Sequence, residues 1–152
     1  MIVAVLGAPG SGKSTVADGL RTELPGWTVI DWDCLMPAVE RLTGRDVRTS
    51  PGLWEPYAHL VRTVVDAACR PVVLLTVCTP AELIGWPIER WILLDVGDDE
   101  RRRRLSDRSS EGTAEAVRDA EEYRALGLPT VDSTMQPIEL AVRDLAAAIR
   151  AA

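Results

Sequence analysis

The chain has 152 residues, room for one domain with a proper core, and 47% hydrophobic against 26% charged residues is ordinary for a globular protein. The net charge of −6 argues against a duplex nucleic-acid binder; with no membrane-length apolar run and no basic leader, a cytoplasmic protein without a signal peptide is expected. Cys34, Cys69 and Cys78 lack metal-binding spacing and read as free thiols, and a single His59 makes a His-based metal site or triad an unpromising reading.

In chain order, Ile2–Leu6 reads as an apolar strand. A helix from Lys13 to about Leu24 places Val16, Ala17, Leu20 and Leu24 on one face before Pro25-Gly26 stops it. Trp27–Asp31 is a second strand, Cys34 to about Thr43 a short helix ended by Gly44, and residues 45–52 a polar connection. Leu53 to about Cys69 is a long helix whose expected buried stripe is Leu60, Val61, Val64, Val65 and Ala68. Pro71–Val77 is a continuous apolar run, the pattern of a central parallel strand, and Trp91–Val96 is the next. A charged helix over Asp98–Asp107, a helix from Thr113 to about Leu126, a short strand Thr130–Asp132 and an amphipathic helix Ile138–Ile149 complete the chain. This alternation predicts a single α/β domain over residues 1–152, with a five-stranded parallel sheet between helical layers and right-handed crossovers. Ligands then belong at the carboxyl ends of the strands.

The segment between the first strand and the first helix carries the strongest signal. Gly7-Ala8-Pro9-Gly10-Ser11-Gly12-Lys13-Ser14-Thr15 matches G-x-x-x-x-G-K-[ST], and Lys13 is the only lysine in the chain. Glycines let the backbone wrap closely and turn its N–H groups inward, and the following helix points its positive end at the same place. Lys13 is a compact point charge for phosphate oxygens, and the Ser14 hydroxyl suits Mg²⁺. The ligands expected are a nucleoside triphosphate, ATP, and Mg²⁺.

Asp31-Trp32-Asp33 lies at the carboxyl end of the second strand. Two carboxylates at i and i+2 near a metal can divide the work of orienting a metal-bound water and taking a proton from an attacking hydroxyl; Asp33 can alternatively cap the helix beginning at Cys34. Farther on, Arg101, Arg104 and Arg108 share one helical face that can turn toward a triphosphate, whereas Arg102 and Arg103 point elsewhere and read as solvated. Asp95, ending the fourth strand, reads as a supporting group.

Together, the Gly7–Thr15 loop, the strand-end Asp31-x-Asp33 and Arg104-Leu105-Ser106-Asp107-Arg108 resemble the small P-loop kinases, especially the shikimate kinase and gluconate kinase branch and the lid of nucleoside monophosphate kinases. The resemblance implies the three-layer P-loop NTPase fold with strand order 2-3-1-4-5 and a short lid over about residues 104–113. It implies that Asp31 supports Mg²⁺ through water, that Asp33 holds the substrate hydroxyl as base, that Arg104 lies against adenine, and that Arg108 reaches the phosphates. Asp132–Pro137 resembles the segment bordering adenine. The third strand departs from the pattern: it ends in Val77-Cys78-Thr79-Pro80, with neither a glycine triplet nor an acid.

An acceptor pocket is expected from residues 33–62 and the strand end at Cys78-Thr79. Arg45, Arg48 and Arg62 are candidates for an anionic group, Trp32, Trp54 and Trp86 for framing a flat ring, and Tyr57 and His59 for the pocket wall; Trp27 and Trp91 read as core. The expected catalytic set is Lys13, Asp33 and Arg108, with Ser14 and Asp31 on the metal. The favoured function is ATP-dependent phosphoryl transfer to a hydroxyl of a small metabolite such as a sugar-like alcohol, a nucleoside or an antibiotic, by a monomer or homodimer. Alternatives are a nucleoside monophosphate kinase, a nucleotide-binding regulatory module with little catalysis and, more weakly, an end-processing polynucleotide kinase.

Overall fold

A computed structural model describes residues 1–151. Five strands form one sheet: β1 (Ile2–Leu6), β2 (Thr28–Asp31), β3 (Val72–Thr76), β4 (Arg90–Asp95) and β5 (Thr130–Asp132). The order is β2-β3-β1-β4-β5 and every pairing is parallel, with Val3 opposite Val73 on one side and Arg90 on the other. This is the expected α/β fold and strand order. The helices are α1 (Lys13–Glu23), α2 (Met36–Thr43), α3 (Pro51–Asp66), α4 (Asp98–Arg104), α5 (Ser110–Ala125) and α6 (Ile138–Arg150).

The apolar strands are buried on both faces, and the twofold alternation of side chains sorts them between two cores. Val3, Val5, Val73, Leu75, Ile92 and Leu94 pack with Val16 and Leu20 of α1 and Leu145 and Ile149 of α6. Ile2, Val72 and Leu74 face the other way, onto Tyr57, Val61 and Val65 of α3 and the Trp32 ring. Leu6 and Leu93 join Ala120 and Tyr123 of α5 in a smaller third cluster.

Local chemistry moves several expected boundaries. Asp31 caps a 3₁₀ turn over Trp32–Leu35, its carboxylate accepting the Asp33 N–H at 3.1 Å, and Pro37 suits the first turn of the α2 helix that follows. Asp33 is therefore not a helix cap, and Asp31 takes that role. On α3 the buried row is Tyr57, Val61 and Val65, while Leu60 and Val64 are exposed. The phase is fixed by Tyr57, whose hydroxyl donates to the Trp32 carbonyl. The charged helix α4 stops at Arg104, and α5 starts early because the Ser109 side chain accepts the Gly112 N–H at 3.1 Å.

Candidate active site

The direction of the crossovers changes beside β1, so the crevice beyond its carboxyl end receives the 7–15 loop. Gly7 closes the strand, its N–H donating to Thr76 O at 3.1 Å. Gly10 and Gly12 have φ of +82° and +94°, left-handed values that side chains disfavour, and they turn the loop under the start of α1. The N–H groups of Gly12, Lys13, Ser14 and Thr15 find no acceptor among the described residues. They form a nest of donors at a helix start, the arrangement that receives a phosphate. Ala8 and Ser11 are buried, and Ser11 Oγ is unpartnered.

Lys13 Nζ donates to the Gly7 carbonyl and lies 3.5 Å from Ala8 O, so the ammonium folds back along its own loop. Desolvation pulls its pKa down from 10.5 to about 8, against the opposing pull of the Asp31 and Asp33 carboxylates. Ser14 Oγ donates to Asp31 Oδ2 at 2.9 Å. A hydroxyl and one carboxylate beside a phosphate nest are the donor set Mg²⁺ takes when phosphates and waters complete its shell, so these residues fit that ion.

The loop opens into a cleft of about 1120 Å³, lined by Pro9, Gly10, Gly12, Lys13, Ser14 and Thr15 on one wall and by Asp31, Asp33, Arg48 and Trp54 on another. Asp33 Oδ2 accepts from Arg48 Nη2 at 2.6 Å; Asp33 Oδ1 has no partner among the described residues. Arg104 and Arg108 also line the cleft. Arg104 is held by Glu100 at 2.8 Å and reaches Gly10 O and Ser133 O at 3.3 Å each, whereas Arg108 is exposed and makes no ion pair among the described residues. Thr79 lines the cleft, its hydroxyl donating to Glu82 Oε2 at 2.9 Å.

Other expected residues lie elsewhere. Arg45 is exposed in the turn after α2 and does not line the cleft. The Cys78 side chain turns into the α3-side core, where burial pushes its thiol up to about 12, and Val77 takes its place on the wall. Arg62 pairs with Asp66 at 2.8 Å and stacks on Trp86 at 5.3 Å. Trp32 is sealed between Trp54, Tyr57 and Trp86, with ring centroids 5.8–6.0 Å away. Arg101, expected on the triphosphate face with Arg104 and Arg108, is wholly buried and bound to Asp95 at 2.6 Å.

Comparison with known proteins agrees with this geometry. A family profile described as an AAA domain matches residues 3–124. The chain belongs to that family, within the P-loop NTPases. No curated protein matches it in sequence. Among solved structures, TT1252 from Thermus thermophilus is 24% identical, with 99% of this chain and 97% of that chain covered and a TM-score of 0.63. A gluconokinase from Sinorhizobium meliloti 1021 is 21% identical over 98% and 91% of the two chains, at 0.65. The tunicamycin resistance protein of Deinococcus radiodurans is 19% identical over 97% and 94%, at 0.70. At these identities the likeness is one of fold.

One wall of this P-loop protein's cleft escaped the sequence reading. Glu115, Asp119 and Glu122 of α5 line it together with Glu82 and Tyr123. Burial and the neighbouring Glu115 and Glu122 carboxylates raise the Asp119 pKa. The signal was present: 115, 119 and 122 follow the i, i+4, i+7 spacing of one helix face.

Proposed function

We infer that this protein transfers the γ-phosphoryl group of ATP to a hydroxyl of a small, uncharged or cationic alcohol. The observation that carries this reading is a single cleft holding an unsatisfied nest of amides with Lys13 and, on an adjoining wall, the free oxygen of Asp33. The nest and Lys13 would hold the β- and γ-phosphates, and Ser14 and Asp31 would hold Mg²⁺, which supplies charge neutralisation across them. Arg48 occupies one Asp33 oxygen and orients the other toward the acceptor. The acceptor oxygen bonds to the γ-phosphorus, the bond to the β–γ bridging oxygen breaks, ADP leaves, and Asp33 takes the hydroxyl proton. Arg108, without a carboxylate partner, is free to meet the developing charge.

The charge of the cleft bears on the acceptor. A nucleoside monophosphate acceptor needs free guanidinium groups, yet Arg48 is engaged by Asp33 and Arg62 by Asp66 and Trp86. The charged groups that α5 contributes to the wall are all carboxylates, with Glu82 beside them, and this repels anionic acceptors. These features favour an alcohol, neutral or amine-bearing, and they are this chain's own, independent of the gluconokinase that shares its fold.

ADP release from MgATP across amino alcohols, neutral sugars, nucleosides, sugar acids and nucleoside monophosphates tests the assignment. We expect the first three classes to include the acceptor. Fastest turnover with a nucleoside monophosphate overturns the alcohol reading. Asp33→Asn should keep MgATP affinity and lose transfer by about 10²–10⁴-fold, the usual contribution of a positioned base. Unchanged turnover would remove Asp33 from the chemistry.

A further inference from the structure

Arg101 is 0% exposed, on the short helix α4, and its guanidinium reaches three acceptors from two parts of the chain, the 7–15 loop and the end of β4. Nη1 donates to Pro9 O at 2.6 Å, and Nη2 donates to Asp95 Oδ1 at 2.6 Å and Val96 O at 3.1 Å. Pro9 stands at the outer bend of the 7–15 loop. The side chain also packs directly beneath that bend, because a Cβ built on Gly10 would meet Arg101 Cγ at 3.2 Å and Leu105 Cγ at 3.1 Å. The other oxygen of Asp95 accepts from Arg124 Nε at 2.6 Å, and Arg124 Nη2 donates to Asp98 Oδ1 at 2.8 Å and Val96 O at 3.0 Å. Arg124 sits near the end of α5, the helix that carries Glu115, Asp119 and Glu122 on the cleft wall.

We propose that Arg101 is a positioning residue for the phosphate-binding loop, and that Asp95 and Arg124 extend its hold to α5. The loop bend, the end of β4 and the cleft-wall helix are thereby fixed as one unit. Two physical arguments support this. A buried guanidinium is costly unless its donors are used, and here a loop carbonyl takes one of the few bonds available, with Nε left unpartnered. The planar fork also fixes direction as well as distance, so Pro9 O and Asp95 are held at a set separation. The nucleotide consequence rests on the function inferred above; the positioning claim does not.

Hydrogen exchange on the full chain separates the two. The readout is the exchange of the Gly7 and Ser11 amides, the two in the loop that hold backbone hydrogen bonds, compared with β3 amides as internal reference, in wild type, Arg101→Met, Arg101→Lys and Arg124→Met. Arg101→Met keeps side-chain length without charge and leaves Asp95 paired with Arg124. Arg124→Met touches neither loop nor cleft and keeps the assay decisive should the buried variant fail to fold. We expect loop exchange to rise about tenfold in Arg101→Met, typical of breaking one hydrogen-bonded network, less in Arg101→Lys, and measurably in Arg124→Met with β3 unchanged. Wild-type loop exchange in Arg124→Met and in folded Arg101→Met overturns the proposal. Calorimetry with MgADP on the same proteins reads the nucleotide arm: about tenfold weaker binding in the variants is expected. Failure of wild type to bind counts against the inferred function, while the exchange data still decide the positioning role.

Discussion

Lys13 combines two demands that pull against each other. Its ammonium must be close to phosphate, which means leaving bulk water, and in the free protein this draws its pKa down to about 8. A lysine with a lowered folded pKa disfavours folding below that value, and this penalty is relieved as pH rises from about 8 toward 10.5. Nucleotide binding has the opposite sign, because it needs the charged form. MgATP affinity should therefore fall as pH climbs through 8 to 10, and binding at pH 9 should take up a proton, seen as a calorimetric enthalpy that depends on the buffer's ionisation heat. Lys13→Met should abolish MgATP binding yet raise the Tm of the free protein by about 3 °C, since roughly 1 kcal/mol corresponds to a few degrees in a chain of this size. A lower Tm would show that the contact with the Gly7 carbonyl outweighs the desolvation.

At the level of elements, the strands and the loop were legible because their constraints are local: an unbroken apolar run, and glycines where φ is positive. The D-x-D pair was equally legible, because a strand's carboxyl end is a fixed address in a parallel sheet. What sequence missed depended on rotation of one element against another. The phase of α3 follows from Tyr57 meeting the Trp32 carbonyl across 25 residues, and Arg101 and Arg104, one turn apart, divide between core and cleft. Cys78 and Val77 exchange places because the chain after β3 turns where the Thr76 hydroxyl accepts the Cys78 N–H at 2.9 Å. Contact between helices is just as exacting at Gly19, where an added Cβ would lie 2.6 Å from Val142 Cγ2 on α6. Gly19→Ala should cost about 1–3 kcal/mol in chemical denaturation despite its better helix propensity, the usual range for overpacking. A stabilised variant would mean that α6 yields freely.

Taken as a whole molecule, the protein sets two cations that make no ion pair among the described residues, Lys13 and Arg108, at an opening walled by acids. Nearly all of its cations are arginines, some of them neutralised locally, as Arg102 is by Asp99 and Arg103 by Glu100. This leaves the amine inventory of the sequence unusually short. Beyond the α-amino group of Met1, which pairs with Glu89 at 3.2 Å, Lys13 is the only primary amine in the 152 residues. With its pKa near 8 it is also partly deprotonated, and so nucleophilic, in mildly alkaline buffer. An amine-acylating reagent at pH 8 should add one mass increment at this position, and saturating MgATP should suppress it. The Met1 α-amino group acylates as well, so intact-mass spectrometry would count occupied loops by the loss of the second increment, with no acceptor or labelled nucleotide required.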